Sequence, residues 1–397
     1  MKILYISALS SKRLIDVLFK KHGRDPGFAV QKFSRMIVTG FVKNSASVST
    51  LSVAPVASSD KIPFIFEKTE QEDSVKYNYV PFFNIPVFKH LMVFIYALAF
   101  LFVWSFFDKK NKVFVCDGLN VTLNMAAVIV SKIRRVRNVC VLTDMPGLMV
   151  GTGVRVSFVG KFITAINKGY LGSFSHYVFL TEAMNDVVNK QHRPYIVMEG
   201  LVNPESVNVP NELENKRDEK VVLYAGGLFE RYGLDTLVKA FMKLPMNDAR
   251  LVVYGNGPYV EKLKELAKVD SRIEYKGIRP NEEVVADEIM ATLLVNPRPT
   301  TEEFTKYSFP SKNMEYMASG TPLLTTKLPG MPKEYYPYVY LFEEESVDGF
   351  KSTLENVLSK SRESLHQKGI EAKQFIVNNK NDVIQCSRIM KLIKIDL

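Results

Sequence analysis

The chain has 397 residues, of which 47% are hydrophobic, so it is long enough for two domains with well-packed cores. Its cysteines, Cys116, Cys140 and Cys386, are far apart and odd in number, which excludes a disulfide framework and a zinc spacing and favours a reducing, cytoplasmic compartment. The net charge of +10 is uneven: residues 1–200 hold 25 of the 52 Lys and Arg but only 13 of the 42 Asp and Glu.

The positive charge of the first half of the sequence indicates an anionic partner, which could be nucleic acid, an anionic lipid surface or a phosphorylated acceptor. No helix-turn-helix, zinc-finger or aromatic RNA-binding signature accompanies the charge, so we expect a membrane surface and no nucleic acid. The first apolar run is too short for a signal peptide and predicts a strand over residues 2–7.

Strands and helices alternate through the first half. The strand 2–7 is followed by S-A-L-S-S instead of G-x-G-x-x-G, which argues against a dinucleotide-binding turn. The polar, basic stretch 8–27 is predicted to be a loop, and a helix over 29–42 places Val30, Phe33, Ile37 and Phe41 on one face. Further strands are predicted at 48–54, 62–66, 77–81, 113–117, 139–143, 175–181 and 195–202, and helices at 120–133, 158–172 and 181–189.

Residues 91–107 are apolar on all sides and flanked by lysines. Three interpretations remain open: a spanning helix, a buried crossover helix, and a monotopic helix pressed into one leaflet. The segment is shorter than the roughly 20 residues that spanning requires, and it lies between two predicted strands. The basic surplus favours the monotopic helix, with the protein peripheral or monotopic on the inner face of the cell membrane.

Asp144 follows the buried strand V-C-V-L-T-D. Ligands of open α/β sheets bind at the carboxyl ends of strands, so Asp144 is a candidate site residue. A helix cap or turn-former is the alternative role.

A polar, proline-bearing stretch, 203–220, is interpreted as a linker between a domain of residues 1–202 and a domain of residues 221–375. The tail, 376–397, is predicted to be an amphipathic helix that could pack back on the first domain. The second domain repeats strand, glycines and helix twice: Gly226-Gly227 with Arg231 follows one strand, and Gly255-Asn256-Gly257 follows the next. This βα alternation predicts α/β architecture with a parallel sheet.

The stretch 306–322, K-Y-S-F-P-S-K-N-M-E-Y-M-A-S-G-T-P, predicts a short helix with Ser311 as its N-cap and Gly320 as its stop. A helix N-terminus favours a phosphate, and Glu315, one turn later, could bind a sugar hydroxyl. The stretch is therefore typical of a nucleoside-diphosphate site, although a capped amphipathic helix is the plainer interpretation.

Four motifs resemble the retaining family-4 glycosyltransferases with the GT-B fold: A-G-G-L-x-x-R-Y-G at 225–233, V-Y-G-N-G-P at 253–258, N-P-R at 296–298 and F-P-S-K-N-M-E-Y-M-A-S-G-T-P at 309–322. T-D-M-P at 143–146 and L-T-E-A-M at 180–184 are similar to bacterial members that build cell-surface polysaccharides. The resemblance implies two Rossmann-like doubly wound domains facing a cleft. The first domain would bind the acceptor and the second a UDP- or GDP-sugar.

The resemblance implies roles for particular residues. Asp144, Arg231 and Lys312 would be catalytic, and Glu315 would hold the ribose hydroxyls. Asp144 stands where many relatives have a histidine, and Tyr307 stands where the family has the first of two glutamates. The implied donor-binding residues are Gly226, Gly227, Arg231, Gly255, Asn256, Gly257, Arg298, Tyr307, Ser308, Phe309, Pro310, Ser311, Lys312 and Glu315.

The reaction implied is transfer of a hexose-type sugar, with retained configuration, to a hydroxyl acceptor that is lipid-linked or a polysaccharide precursor. No D-x-D triplet occurs in the sequence, so no metal and no cofactor are expected. An epimerase or phosphorylase of the same fold, and a non-catalytic membrane scaffold, are the alternatives.

Overall fold

The computed structural model of the protein describes residues 1–23, 27–56, 60, 62–107, 111–145 and 169–395. These residues form two compact units, Met1–Leu201 with Asp382–Leu397 and Val202–Asn381. The predicted helix 158–172 lies outside the described residues except for its last few positions.

The described strands are β1 Lys2–Ser7, β2 Ser47–Ser52, β3 Phe64–Ile65, β4 Glu70–Glu72, β5 Val75–Tyr79, β6 Phe82–Phe83, β7 Lys112–Asp117, β8 Arg137–Leu142, β9 His176–Phe179, β10 Tyr195–Val197, β11 Lys220–Gly227, β12 Ala249–Asn256, β13 Ile273–Gly277, β14 Leu293–Asn296, β15 Leu323–Thr325 and β16 Tyr340–Leu341. The described helices are α1 Lys12–His22, α2 Phe28–Lys43, α3 Phe88–Trp104, α4 Val121–Arg134, α5 Glu182–Val188, α6 Leu234–Met242, α7 Val260–Val269, α8 Asn281–Met290, α9 Ser311–Ser319, α10 Val347–Leu358, α11 Arg362–Asn379 and α12 Asp382–Ile393.

The first unit is built on a sheet whose described strands run in the order β10-β9-β8-β7-β1-β2-β5-β4. Its strand pairs are parallel except for β4 with β5, and β3 pairs with β6 in a separate antiparallel ladder. The second unit has the order β13-β12-β11-β14-β15-β16, with parallel pairs throughout its described strands. Both units therefore have doubly wound α/β sheets, and the strand order reverses at β1/β7 in the first and at β11/β14 in the second.

The prediction of a loop over 8–27 is wrong, because α1 occupies most of it. The Ser11 side chain caps the helix by accepting a hydrogen bond from the Leu14 backbone N–H at 3.1 Å. Leu14, Ile15 and Leu18 form its buried stripe. Lys12 and Arg13 before this stripe and Lys20 and Lys21 after it give the segment the polar, basic character that concealed the helical period.

The predicted helix 29–42 is present as α2, but its inward face differs from the expectation. Ile37 and Phe41 are buried, whereas Val30 is exposed and Gln31 is buried. The Gln31 side chain accepts a hydrogen bond from the Ser10 N–H at 2.9 Å and donates one to the Ala8 carbonyl at 2.8 Å. A polar residue is thus placed inward to fix the loop after β1.

The interpretation of 91–107 as a crossover helix that is fully buried is wrong, because α3, which connects β6 and β7, is buried along one stripe only. Val93, Ala97 and Leu101 form the buried stripe of α3, which packs on α4, and the other faces carry exposed apolar side chains. No helix among the described residues is both long enough and apolar enough to cross a bilayer.

The C-terminal helix α12 packs on α2 within the first unit. Lys43 and Asp382 form an ion pair at 3.2 Å, and Gly40 lets the two helices approach, because a Cβ there would lie 2.6 Å from Cys386 Sγ.

The segment 203–220, interpreted as a linker, lies along the second unit: Asn211 donates to the Ser319 carbonyl at 2.9 Å and Lys216 to the Thr321 hydroxyl at 2.8 Å.

Candidate functional site

The strand order of the second unit reverses between β11 and β14, and ligands of such sheets bind at this point, beyond the carboxyl ends of the strands. β11 ends at Gly226-Gly227 and β14 ends at Asn296. Most of the residues that the sequence proposes for donor binding lie at this edge of the sheet. We refer to this edge as the β11/β14 edge.

Two of the predicted ligand-binding glycines serve the packing of the backbone. Gly255 has φ +128°, and a Cβ there would overlap the Gly226 carbonyl oxygen. Gly257 has φ +157°, and a Cβ there would overlap the Leu228 carbonyl oxygen. These glycines bring the loops after β11 and β12 together, whereas the Asn256 side chain between them is exposed and accepts a hydrogen bond from the Gly257 N–H at 2.9 Å.

Arg231 and Arg298 approach the same pair of aromatic rings at the β11/β14 edge. Arg231 lies in a 3-10 turn after β11, with its guanidinium 5.6 Å from the ring centroids of both Tyr232 and Phe304. Arg298 lies two residues beyond β14, with its guanidinium 4.6 Å from the Tyr232 ring and 5.4 Å from the Phe304 ring. The rings hold two positive charges together where the strand order reverses.

These two charges are not neutralised by the protein itself. Among the described residues, neither arginine has a carboxylate within ion-pair distance, and the Nε atom of each is buried without a hydrogen-bond partner. Burial lowers the pKa of Arg298, and the neighbouring charge of Arg231 acts in the same direction. Both side chains are partly buried, and two neighbouring guanidinium groups with no carboxylate partner among the described residues favour a bound anion. Guanidinium geometry suits phosphate oxygens.

The N-terminus of helix α9 lies beside the β11/β14 edge, and the helix begins at Ser311, four residues after Tyr307. Pro310 is its N-cap residue and Ser311 its first helical residue, so the predicted N-cap role of Ser311 is wrong. Proline has no side-chain acceptor, so its cap leaves the first-turn N–H groups without a side-chain partner and keeps the positive end of the helix dipole available. Gly320 ends the helix with φ +83°, as predicted.

The remaining residues of this motif differ in their access to a ligand. Lys312 and Glu315 are partly exposed and form an ion pair at 2.9 Å. Tyr307 is partly exposed, and the Ser308 hydroxyl is buried without a partner. Phe309 and Pro310 are buried, and the Phe309 ring packs in the core 5.1 Å from the Tyr335 ring, so the Phe309 side chain is structural.

Sequence reasoning missed the side chains that fix α9 to the sheet. The buried Tyr316 hydroxyl accepts a hydrogen bond from the Ala225 N–H at 2.7 Å and donates to the Ala225 carbonyl at 3.1 Å. The Asn296 side chain donates to the Asn313 side chain at 2.6 Å, which joins the end of β14 to the first turn of α9. No local pattern could have revealed these pairs, because their partners are 91 and 17 residues apart.

Replacing Tyr316 by phenylalanine is expected to destabilise the second unit by about 1–3 kcal/mol, because the Ala225 N–H loses its partner in a buried setting. The spacing between Gly226 and the start of α9 should also loosen, so UDP affinity should fall. Urea unfolding and calorimetric titration with UDP measure the two effects. Tyr275→Phe, which removes a partly buried hydrogen bond to the Gly255 carbonyl, is the matched control for stability.

Asp144 belongs to the first unit, whereas the other candidates belong to the second. It follows β8, is partly exposed, and burial raises the pKa of its carboxyl.

Asp117, at the end of β7, was missed although V-F-V-C-D-G shows the same sequence pattern of a buried strand followed by an aspartate. Burial raises the pKa of Asp117 as well, and its carboxylate accepts a hydrogen bond from the Leu119 N–H at 3.1 Å. Asp117 lies where the strand order of the first unit reverses.

No group of three or more His, Cys, Asp or Glu in the described ranges is placed to hold a metal ion. The site at the β11/β14 edge is instead formed by arginines, a lysine, glycine loops and a helix N-terminus. Such a set can bind a diphosphate and stabilise it as a leaving group.

Residues 208–381 match the family model described as glycosyl transferases group 1. Among solved structures, HepE from Anabaena in complex with UDP is 14% identical, with 98% of this chain and 99% of that chain covered and a TM-score of 0.64. Sucrose-phosphate synthase from Thermosynechococcus elongatus is 14% identical, with 98% of each chain covered and a TM-score of 0.61. The lipopolysaccharide outer core galactosyltransferase WaaB is 14% identical, with 99% of each chain covered and a TM-score of 0.60. Curated protein sequences gave no match.

The fold is therefore the GT-B fold, as the sequence motifs predict. The second unit is similar to the glycosyl transferases group 1 over nearly all of its length.

Proposed function

We propose that the protein is a retaining glycosyltransferase of family 4 that moves a sugar from a UDP- or GDP-sugar to a hydroxyl acceptor. Arg231 and Arg298 at the β11/β14 edge carry the proposal, because two neighbouring positive charges without carboxylate partners among the described residues favour an anion where the strand order reverses. The match of residues 208–381 to glycosyl transferases group 1 supports it. So do the structures of HepE, which are described as complexes with UDP and with UDP-glucose.

In this proposal the bond between the anomeric carbon and the β-phosphate oxygen breaks, and a bond from that carbon to the acceptor oxygen forms on the same face. The acceptor loses a proton, and the diphosphate leaves with an added negative charge. Arg231, Arg298, Lys312 and the start of α9 stabilise that charge, which makes a metal ion unnecessary. Asp144 acts on the acceptor side, where its raised pKa makes it a better proton acceptor than an ordinary aspartate.

The proposed acceptor is lipid-linked or a polysaccharide precursor of the cell envelope, and the proposed location is the inner face of the cell membrane. The basic surplus of residues 1–200 and the apolar faces of α3 support this. The likeness to WaaB, described as a lipopolysaccharide outer core galactosyltransferase, is consistent with an envelope acceptor.

The direct test supplies the purified protein with radiolabelled UDP- and GDP-sugars and a membrane lipid extract, with and without EDTA. We expect labelled lipid product, no effect of EDTA, and stabilisation of the protein by one nucleoside diphosphate in a thermal-shift assay. NMR of the product measures the anomeric configuration. Absence of both transfer and thermal stabilisation would overturn the proposal, and donor consumption without acceptor would favour an epimerase.

Replacing Glu315 by alanine is expected to lower donor affinity about 10–150-fold, because a charged acceptor for the ribose hydroxyls is lost. Lys312, its ion-pair partner at 2.9 Å, is retained in this variant. Calorimetric titration with UDP measures the change. Glu261→Ala removes an exposed carboxylate that is likewise paired to a lysine three residues away, and it should leave UDP binding unchanged. If the Glu315 variant and the wild type bind UDP with equal affinity, Glu315 does not bind the ribose hydroxyls.

A further inference from the structure

Exposed apolar side chains are concentrated on one part of the first unit. Of the 27 large hydrophobic side chains exposed among the described residues, 13 lie between residues 64 and 107. We call these 13 the α3 surface. They are Phe64, Phe66, Phe83, Ile85, Val87, Phe88, Leu91, Ile95, Tyr96, Phe102, Val103, Phe106 and Phe107.

The α3 surface combines the short β3–β6 ladder with the outward faces of α3. The Phe64 and Phe83 rings are 4.7 Å apart across the ladder, and the Phe83 and Phe88 rings are 6.3 Å apart at the start of the helix. Strand β6 packs against α3. The exposed side chains therefore continue from the ladder along the helix to Phe106 and Phe107.

Basic side chains border the far end of this surface. The Arg134 guanidinium lies 4.9 Å from the Phe102 ring and 5.1 Å from the Phe106 ring, and it donates to the Phe106 carbonyl at 3.2 Å. Lys132 and Arg135, in the same turn at the end of α4, are exposed. At the near end, His90 is exposed, whereas the Lys89 ammonium lies 4.5 Å from the buried Phe82 ring and donates to the Val56 carbonyl at 3.2 Å.

We propose that the α3 surface binds one leaflet of an anionic lipid bilayer, with α3 in the plane of the interface. This proposal rests on the proposed function and extends it, because it identifies the surface through which the enzyme would approach a lipid-linked acceptor. Exposed aromatic and aliphatic side chains enter the acyl boundary, while Lys132, Arg134 and Arg135 reach anionic headgroups. The helix lies in the interface and does not span, because Val93, Ala97 and Leu101 anchor one stripe of its 17 residues in the protein.

Charge complementarity favours a lipid partner. A specific protein interface would present hydrogen-bonding groups among its apolar ones, and residues 91–107 offer few besides Tyr96, Trp104 and Ser105. The net excess of 12 basic residues over residues 1–200 matches an anionic surface. A second copy of the chain is the competing occupant, and the test below separates the two.

The test is flotation of the purified full chain with vesicles of phosphatidylglycerol and phosphatidylethanolamine, compared with vesicles of phosphatidylcholine alone. Ile95→Ser/Val103→Ser/Phe107→Ser should lower the partition constant by about 1,000-fold, since each of the three apolar side chains that enter the bilayer contributes roughly tenfold. Val269→Ser/Ile278→Ser, which changes two equally exposed residues of the second unit, is the matched control and should bind as the wild type does.

Charge reversal tests the second half of the proposal. Lys132→Glu/Arg135→Glu should reduce binding to the anionic vesicles by roughly 25-fold or more, at about fivefold for each charge removed. Wild-type binding should weaken as salt rises. If this variant and the wild type bind the anionic vesicles equally well, anionic headgroups do not contribute to binding.

Two outcomes would overturn the proposal: no flotation of the wild type with anionic vesicles, or a stable dimer in solution that the triple serine variant converts to monomer. Leu101→Ser checks that the chosen positions are surface positions, because Leu101 is fully buried and its change should unfold the first unit. Thermal stabilisation by UDP should be the same for the wild type and the triple variant. Failure to bind lipid is thereby distinguished from failure to bind a donor.

Discussion

Replacing Arg231 and Arg298 together by glutamine should abolish UDP binding and lower sugar transfer by more than about 10³-fold. Each arginine is expected to contribute on the order of 10²-fold, the effect of removing one preorganised group that stabilises developing negative charge. The two guanidinium groups share the Tyr232 and Phe304 rings, so each also positions the other, and the effects of the single changes should not be additive.

The stability of the ligand-free variant gives this prediction a second measurement. Arg231 and Arg298 are neighbouring, partly buried positive charges without carboxylate partners among the described residues, and they repel each other, so removing them should leave the melting temperature unchanged or raise it. We therefore expect an unaltered or higher melting temperature together with no thermal shift on adding UDP. Arg279→Gln, at an exposed position after β13, is the control and should change neither quantity.

A lower melting temperature of the double variant with UDP binding intact would contradict this account. The arginines would then act as a structural support for the aromatic pair. Their cation–π contacts contribute only about 0.5–2 kcal/mol each, so such an effect should be small compared with the loss of an anion site.

The second large effect is expected at Gly255. An alanine Cβ there would overlap the Gly226 carbonyl oxygen, and φ of +128° is strained for any residue with a side chain. We expect Gly255→Ala to destabilise the second unit by about 3–5 kcal/mol, which lowers its melting temperature by roughly 6–20 °C. The loop after β11 must move away from the loop after β12, so UDP binding should also be lost.

Gly277→Ala is the matched control for this change. Gly277 also has a positive φ, +72°, but a Cβ there meets nothing within 4 Å. Gly277→Ala should therefore lower the free energy of unfolding only through backbone strain, by about 1–2 kcal/mol. Differential scanning calorimetry of the two variants measures the difference. Equal melting temperatures would show that Gly255 matters for ligand access and not for contact between the two loops.

The roles of the glycines show how a correct motif can lead to an incomplete explanation. The sequence places Gly226, Gly227, Gly255 and Gly257 at strand ends, and the structure finds them there. The motif suggests that all four admit a ligand. Gly255 and Gly257 are required because two backbone segments meet, a contact between chain segments that no local pattern records.

Local patterns were sufficient for most strands and for several helices. Runs such as V-V-L-Y-A and L-V-V-Y, bounded by glycines, define β11 and β12 because hydrophobic period and turn residues act over a few positions. The helix α1 was missed because its short buried stripe is flanked by basic residues, and its cap acts through a single side chain. The burial of Gln31 could not be predicted, because sequence alone does not show which polar group a neighbouring loop needs.

The sequence by itself determined the alternation of strands and helices, and with it two α/β units and the position of the glycine and helix motifs at strand ends. The tertiary structure decided which residues act together there. Arg231 and Arg298 share two rings, and Tyr316 joins α9 to β11 across 91 residues. It also decided that α3 buries only one stripe, which leaves the α3 surface open. The physical reason is that hydrophobic periodicity is a property of neighbouring residues, whereas burial, unpaired charge and the partners of hydrogen bonds depend on what the folded chain brings close.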